Sequence, residues 1–243
     1  MFPLRDTVPG RRPPVVVWAL VFLNALVFLH EVQLTPQALQ LFVNQYALVP
    51  ARLTAPGGLE RYWWTVITSM FLHGGWLHII GNMWFLWIFG DNVEDRFGSL
   101  GFTALYFLGG IAAAGLEIFT DPRSTVPSLG ASGAIAAVLG AYLVLYPDAR
   151  VITVIPIFIF PWIVSIPAFV WLGIWFLYQW FNGIAVLHQH AAGGVAYWAH
   201  VGGFVFGVLV ALAARLTEKA PAAAPSPGRR PYYPGYDQEW PFA

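Results

Sequence analysis

Hydrophobic residues in this 243-residue chain come in long blocks rather than in strand-like alternation. A helix needs about 20 mostly apolar residues to cross a hydrocarbon core about 30 Å thick, and several blocks meet or approach that length. Six membrane segments are predicted, over roughly 14–30, 77–93, 100–118, 132–146, 167–181 and 199–214. Helix is the expected form because a lone segment in lipid must satisfy its own backbone groups, and the repeated ten-residue alternation of a barrel is missing. The expected fold class is an all-α membrane protein, a polytopic bundle of six transmembrane helices.

The connections differ in character. Residues 31–76 are too long for a turn and unusually apolar. "LQLFVNQYALVPARL" and "RYWWTVITSMFLH" carry aromatics suited to an interface, so a long interfacial first loop is expected in the outer leaflet. Residues 149–166, "ARVITVIPIFIFPWIVSI", are apolar but interrupted by Pro156 and Pro161, which exclude a continuous helix; they are read as an interfacial cytoplasmic segment. From residue 215 the chain is dense in Pro, Ala and Gly, and a disordered tail is expected. The division expected is 1–13 as a cytoplasmic N-terminal segment, 14–214 as the membrane domain and 215–243 as a cytoplasmic tail.

Composition sharpens this picture. The chain is 58% hydrophobic and only 10% charged, where soluble domains are roughly 45–50% apolar and about 25% charged. No Lys/Arg cluster interleaves with aromatics, so nucleic acid is not an expected partner. With no cysteine, there is no disulfide framework, thiolate nucleophile or sulfur-ligated metal. The N-terminal arginines precede an apolar run without a small-residue cleavage site, which reads as a retained first span. If the N-terminus lies inside, Arg5, Arg11, Arg12, Arg96, Arg150, Arg215, Lys219, Arg229 and Arg230 also lie inside, while Arg52, Arg61 and Arg123 lie outside. Positive charge gathers on the cytoplasmic side, so both termini are expected there.

Within the apolar blocks a few polar residues stand out. The segment "GASGAIAAVLG" places Ser132 at the first turn of a span of 15 residues, about 22 Å of helix and so shorter than the bilayer core. Unpaired N–H groups and the positive end of the dipole would favour negative charge there. Taken alone, Ser132 reads as an N-cap or a packing residue. The sixth span opens "AHVGGFVFG", placing His200 near the same outer end, with Gly203 and Gly207 on its face. Ser132, Ala136 and Gly140 form a matching small-residue face, so the two helices can bring a weak nucleophile to a base. A structural histidine bonded to a backbone carbonyl is the alternative. On the second span, His78 and Asn82 lie i, i+4 at the outer end, with N–H groups suited to an oxyanion, or alternatively to helix-to-helix contacts. Three polar clusters from three spans at one depth argue for a site.

Other motifs are incomplete. "HEVQL" at His30 lacks the second histidine of a zinc protease motif. His188 and His190 have no third ligand nearby. No metal or cofactor is expected. Glu117 and Asp121 are expected to be solvated at the interface.

As a set, these motifs resemble the rhomboid family of intramembrane serine proteases over roughly residues 14–214: Gly130-Ala131-Ser132-Gly133, Ala199-His200 with Gly203, and His78 with Asn82. The long first loop and "GDNVEDRFGS" are similar too. The resemblance implies a Ser132–His200 dyad without an acidic third member, and an oxyanion site of His78, Asn82 and the Ser132 amide. It further implies water entry from the outer face and substrate entry between the second and fifth spans. Glu94 and Arg96 match a polar cluster that looks structural in the family. Some members carry an aromatic four positions after the serine, supporting the histidine ring. Here Ala136 stands there, so an aromatic from the fifth or sixth span would have to serve.

The function expected is an endopeptidase acting in or beside transmembrane segments of other proteins, single-pass or otherwise, in the bilayer of a prokaryotic plasma membrane. The runner-up is a catalytically silent rhomboid-like protein that binds membrane helices. A small-solute transporter would need repeated halves, and no internal repeat is found. Loop 182–198, with Gly183, Gly193 and Gly194, is a candidate mobile cap.

Overall fold

The computed structural model describes residues 1–157, 160–189 and 195–217. The chain is mostly helical. Helix α1 covers Val15–Glu31, and the first loop folds into α2 (Pro36–Tyr46), α3 (Pro50–Thr54), α4 (Gly58–Tyr62), α5 (Thr65–Thr68) and a 3₁₀ turn at Ser69–Phe71. Helix α6 (Trp76–Thr120) is followed by α7 (Ser132–Leu145), α8 (Ala168–Gln189) and α9 (Tyr197–Thr217). Helices α6, α8 and α9 are long and apolar enough to cross a membrane, while α1 and α7 are apolar but shorter.

Helix α6 spans both the second and third predicted segments. It breaks at Gly98, whose φ of +71° and ψ of 165° are outside the helical region and favour glycine. The two arms, 76–97 and 99–120, therefore run in different directions.

Helix α7 occupies the middle, with every residue from Gly133 to Tyr142 buried. The bulk of the core gathers around it from α6, α8 and α9. It lies against α9 backbone to backbone. A Cβ at Gly203 would sit 2.0 Å from the Gly133 carbonyl oxygen, one at Gly207 would sit 1.9 Å from that of Ala137, and one at Gly140 would sit 2.1 Å from that of Phe204. Only hydrogen fits at these three crossings. The outer surface is apolar: Leu77 is 88% exposed and Leu100 86%, as suits a lipid surround rather than water.

The all-α expectation misses one element. Strands β1 (Phe2–Asp6), β2 (Arg150–Ile157) and β3 (Phe160–Pro167) form an antiparallel sheet in the order β1-β2-β3. The segment read as interfacial is thus a hairpin, and residues from the N-terminal segment pair with it, Phe2 opposite Val154 and Asp6 opposite Val151. Proline excludes helix here, and the Val, Ile and Thr content of "RVITVI" favours strand. Pro156 is tolerated in the middle strand because β1 pairs no further than Val154 and its partner on β3 is Pro161. Val151 and Thr153 turn into the protein and are fully buried.

Two further expectations meet the structure differently. Helix α8 starts where the fifth span was expected but runs on to Gln189, so the first part of the candidate cap is helical, and its Gly193 and Gly194 lie outside the described residues. The tail beyond Thr217 lies outside them as well.

Candidate active site

The chain reaches Ser132 through an extended approach held to the first loop. Leu48 and Ser128 exchange hydrogen bonds of 3.0 and 2.7 Å, the Ala51 N–H donates to Ser124 O at 3.0 Å, and the Gly130 N–H donates to Ser69 O at 2.8 Å. Gly130 has φ +124°, and a Cβ there would strike the His78 ring at 2.7 Å. This turn delivers Ser132 as the first residue of α7. Its hydroxyl does not cap its own helix. Ser132 Oγ lies 2.7 Å from His200 Nε2.

His200 is buried near the start of α9, below an N-terminus anchored from another element. The Ala199 N–H donates to Glu117 Oε2 of α6 at 3.2 Å. Glu117, expected in solvent, instead offers a carboxylate to the positive end of α9, while Asp121 is exposed. The other ring nitrogen of His200, Nδ1, lies 2.9 Å from Oε1 of Gln179 on α8. The Trp175 ring, one turn earlier on α8, lies 5.9 Å from the His200 ring at 36°. It is an α8 aromatic beside the histidine ring, in a chain with Ala136 four positions after Ser132. Sequence reasoning passed over both α8 residues. A signal existed for one: Gln179 is the only amide side chain between Pro167 and Phe181.

His78 and Asn82 face the same place from α6. The Gly74 N–H donates to His78 Nδ1 at 3.3 Å, so the hydrogen of the neutral ring is on Nε2. That Nε2 approaches Gly130, within 2.7 Å of where a Cβ would be. Asn82 Nδ2 would lie 3.6 Å from the same point. Asn82 is buried, and its Nδ2 has no hydrogen-bond partner among the described residues. An unused buried donor is costly. Beside a serine and a backbone turn it is what an oxyanion would satisfy.

The first loop also supports the site. Glu31, the last residue of α1, receives the His73 N–H at 3.2 Å, and the His73 ring packs 5.1 Å from that of His78. Burial pushes His73 down to about 4, so it stays neutral at physiological pH. Glu31 is thereby a loop anchor, and His30 packs edge-on against Phe42 at 5.2 Å. The side chains of His188 and His190 lie outside the described residues. Glu94 accepts from the Val16 and Val17 N–H groups at 3.0 Å and from Ser99 Oγ at 2.8 Å, anchoring α1 as a structural group.

A cavity of about 30 Å³ opens beside Ser132, lined by Met70, Gly110, Ala113, Ala114, Gly133 and Ala199. A larger hollow of about 420 Å³ lies in the first loop around Arg52 and Arg61, away from Ser132 and His200. Of the two, the smaller borders Ser132.

Residues 60–216 match the Rhomboid domain family, more than half of the chain. The chain belongs to the rhomboid family. Rhomboid protein 1 of Saccharomyces cerevisiae mitochondria is 32% identical over 149 residues, 60% of this chain and 40% of its own length. RHOMBOID-like protein 5 of Arabidopsis thaliana is 39% identical over 80 residues, 33% of this chain and 26% of its own. Rhomboid protease GluP of Bacillus subtilis is 40% identical over 81 residues, 33% of this chain and 15% of its own. The matched stretches thus span less than half the length of these relatives. Rhomboids include intramembrane serine proteases that act on transmembrane substrates in the bilayer. Family and apolar helices together make this rhomboid an integral membrane protein.

Proposed function

We propose that this rhomboid is a serine endopeptidase that hydrolyses peptide bonds in or next to transmembrane segments of other membrane proteins. The observation that carries the reading is the 2.7 Å approach of Ser132 Oγ to His200 Nε2, made between separate helices in a buried site. In the reaction, His200 Nε2 takes the hydroxyl proton as Oγ attacks the scissile carbonyl. The resulting oxyanion is met by the Ser132 backbone N–H, Asn82 Nδ2 and His78 Nε2–H. His200 then returns the proton to the leaving amine, and water attacking through the same base releases the acyl group from Ser132.

A helical substrate hides its carbonyls in hydrogen bonds, so it must unwind before attack. The cavity beside Ser132, at about 30 Å³, has room for a methyl group, which favours small residues at the cleavage point. In this reading the arms of α6 join α1, α7, α8 and α9 as six spans, with both termini cytoplasmic and the site at the outer end. Charge distribution supports that orientation.

Labelling with a serine-reactive fluorophosphonate tests the function. Native protein is expected to label and Ser132→Ala to stay dark. Equal labelling would remove the nucleophile from the reading and leave a silent binder of membrane helices.

A further inference from the structure

The site holds one polar contact that a two-residue dyad does not call for. Gln179 is 5% exposed, sits on a helix otherwise facing apolar neighbours and lipid, and directs Oε1 at His200 Nδ1 from 2.9 Å. We infer that Gln179 is the positioning residue that fixes the tautomer of His200, serving this dyad as an uncharged third member. The inference rests on the proteolytic reading of Ser132 and His200.

A carbonyl oxygen has no hydrogen to offer, so the Nδ1 to Oε1 contact is a hydrogen bond only if Nδ1 carries the proton. A neutral imidazole has a single N–H. Nε2 is then bare, with its lone pair turned to Ser132 Oγ at 2.7 Å, which is the form a general base requires. In the opposite tautomer, Nε2–H would point at the serine and Nδ1 would face an oxygen lone pair. When Nε2 receives the serine proton, the amide dipole still accepts from Nδ1–H and eases the new positive charge. A carboxylate would do this more strongly, but an ionised group among membrane helices is expensive. An amide gives direction without charge.

Helix α8 is held so that the contact persists. Phe176 stacks on Phe204 of α9 at 4.8 Å, and Trp175 lies against both Phe204 and the His200 ring, each at 5.9 Å. Further along, Trp198 Nε1 donates to Gly183 O at 3.1 Å. The base is therefore correctly protonated only while α8 is seated on α9.

Two measurements on the full chain in detergent or bilayers decide the matter. The first is the ¹⁵N chemical shifts of the His200 ring in native protein and in Gln179→Leu. Native protein is expected to show protonated Nδ1 and bare Nε2, and the Leu variant a mixture or the reverse. The second is the rate of fluorophosphonate labelling at Ser132. Gln179→Leu is expected to slow it about tenfold or more, with a cooperative thermal transition retained, and Gln179→Glu, which restores an acceptor, to recover most of the rate. A native Nε2–H tautomer would overturn the proposal whether or not any variant folds. So would a Leu variant that labels at the native rate, or a Glu variant no faster than Leu. If native and Ser132→Ala proteins label equally, the proteolytic reading falls by itself, and the ring shifts still settle the role of Gln179.

Discussion

Among the described residues Asn82 Nδ2 is a donor buried without a partner, and such a group persists in a folded protein when function uses it. Replacing it tests the oxyanion role apart from the nucleophile. Asn82→Ala is expected to slow Ser132 labelling by about 10²–10³-fold, the range for losing one oxyanion donor. Its melting temperature should not fall, since Nδ2 gives up no hydrogen bond among the described residues. A variant that labels normally but melts early would make Asn82 a structural residue. At this scale the sequence was informative about residue type and poor about partners. Ser132, His200, His78 and Asn82 stood out because polar groups are rare in apolar helices. Glu117 looked solvated because its partner, the Ala199 N–H, lies 82 positions along the chain, where no local pattern reaches.

Between elements, the contact of α7 with α9 decides whether the hydroxyl and imidazole meet at all. Gly207→Ala would drive a methyl group into the Ala137 carbonyl, and the helices must then separate. Overpacking of this kind costs about 1–3 kcal/mol, so a lower unfolding temperature in detergent is expected, together with slower labelling of Ser132. Gly115, whose Cβ would meet nothing within 4 Å among the described residues, is the control: Gly115→Ala should melt no lower than the native chain. The glycine pattern on α9 was legible because helix periodicity alone brings Gly203 and Gly207 to one side. Which face of α8 turned inward was not legible. That helix is apolar nearly all round, with Gln179 the one amide between Pro167 and Phe181 to mark a side, and Gln179 found its partner only through packing on α9.

Across the whole molecule, the N-terminal strand is latched to the bundle. Asp6 Oδ2 receives Asn92 Nδ2 at 2.8 Å and the Tyr142 hydroxyl at 2.5 Å, while Trp84 Nε1 donates to Pro3 O at 2.6 Å. Burial raises Asp6 from 3.8 to about 6, against the lowering effect of its Tyr142 hydrogen bond. The folded protein thus keeps a proton that the unfolded chain releases across that window. The stability that Asp6 contributes should fall as pH rises from about 4 to about 6. Asp6→Asn should weaken this dependence, as read from unfolding temperatures across the pH series, and an unchanged slope would place the titration elsewhere. The latch also marks where inference from the chain stopped. Hydrophobic block length and helical spacing are local properties, so they were enough to locate the apolar helices α1 and α6–α9, though not the short helices of the first loop, and to show which side chains could share a face. The pairing of residues 2–6 with 150–157, the carboxylate under α9 and the amide behind the histidine join positions far apart in the chain. Only packing of the assembled bundle could choose those partners, because a buried polar group takes whichever complementary atom the fold brings within reach.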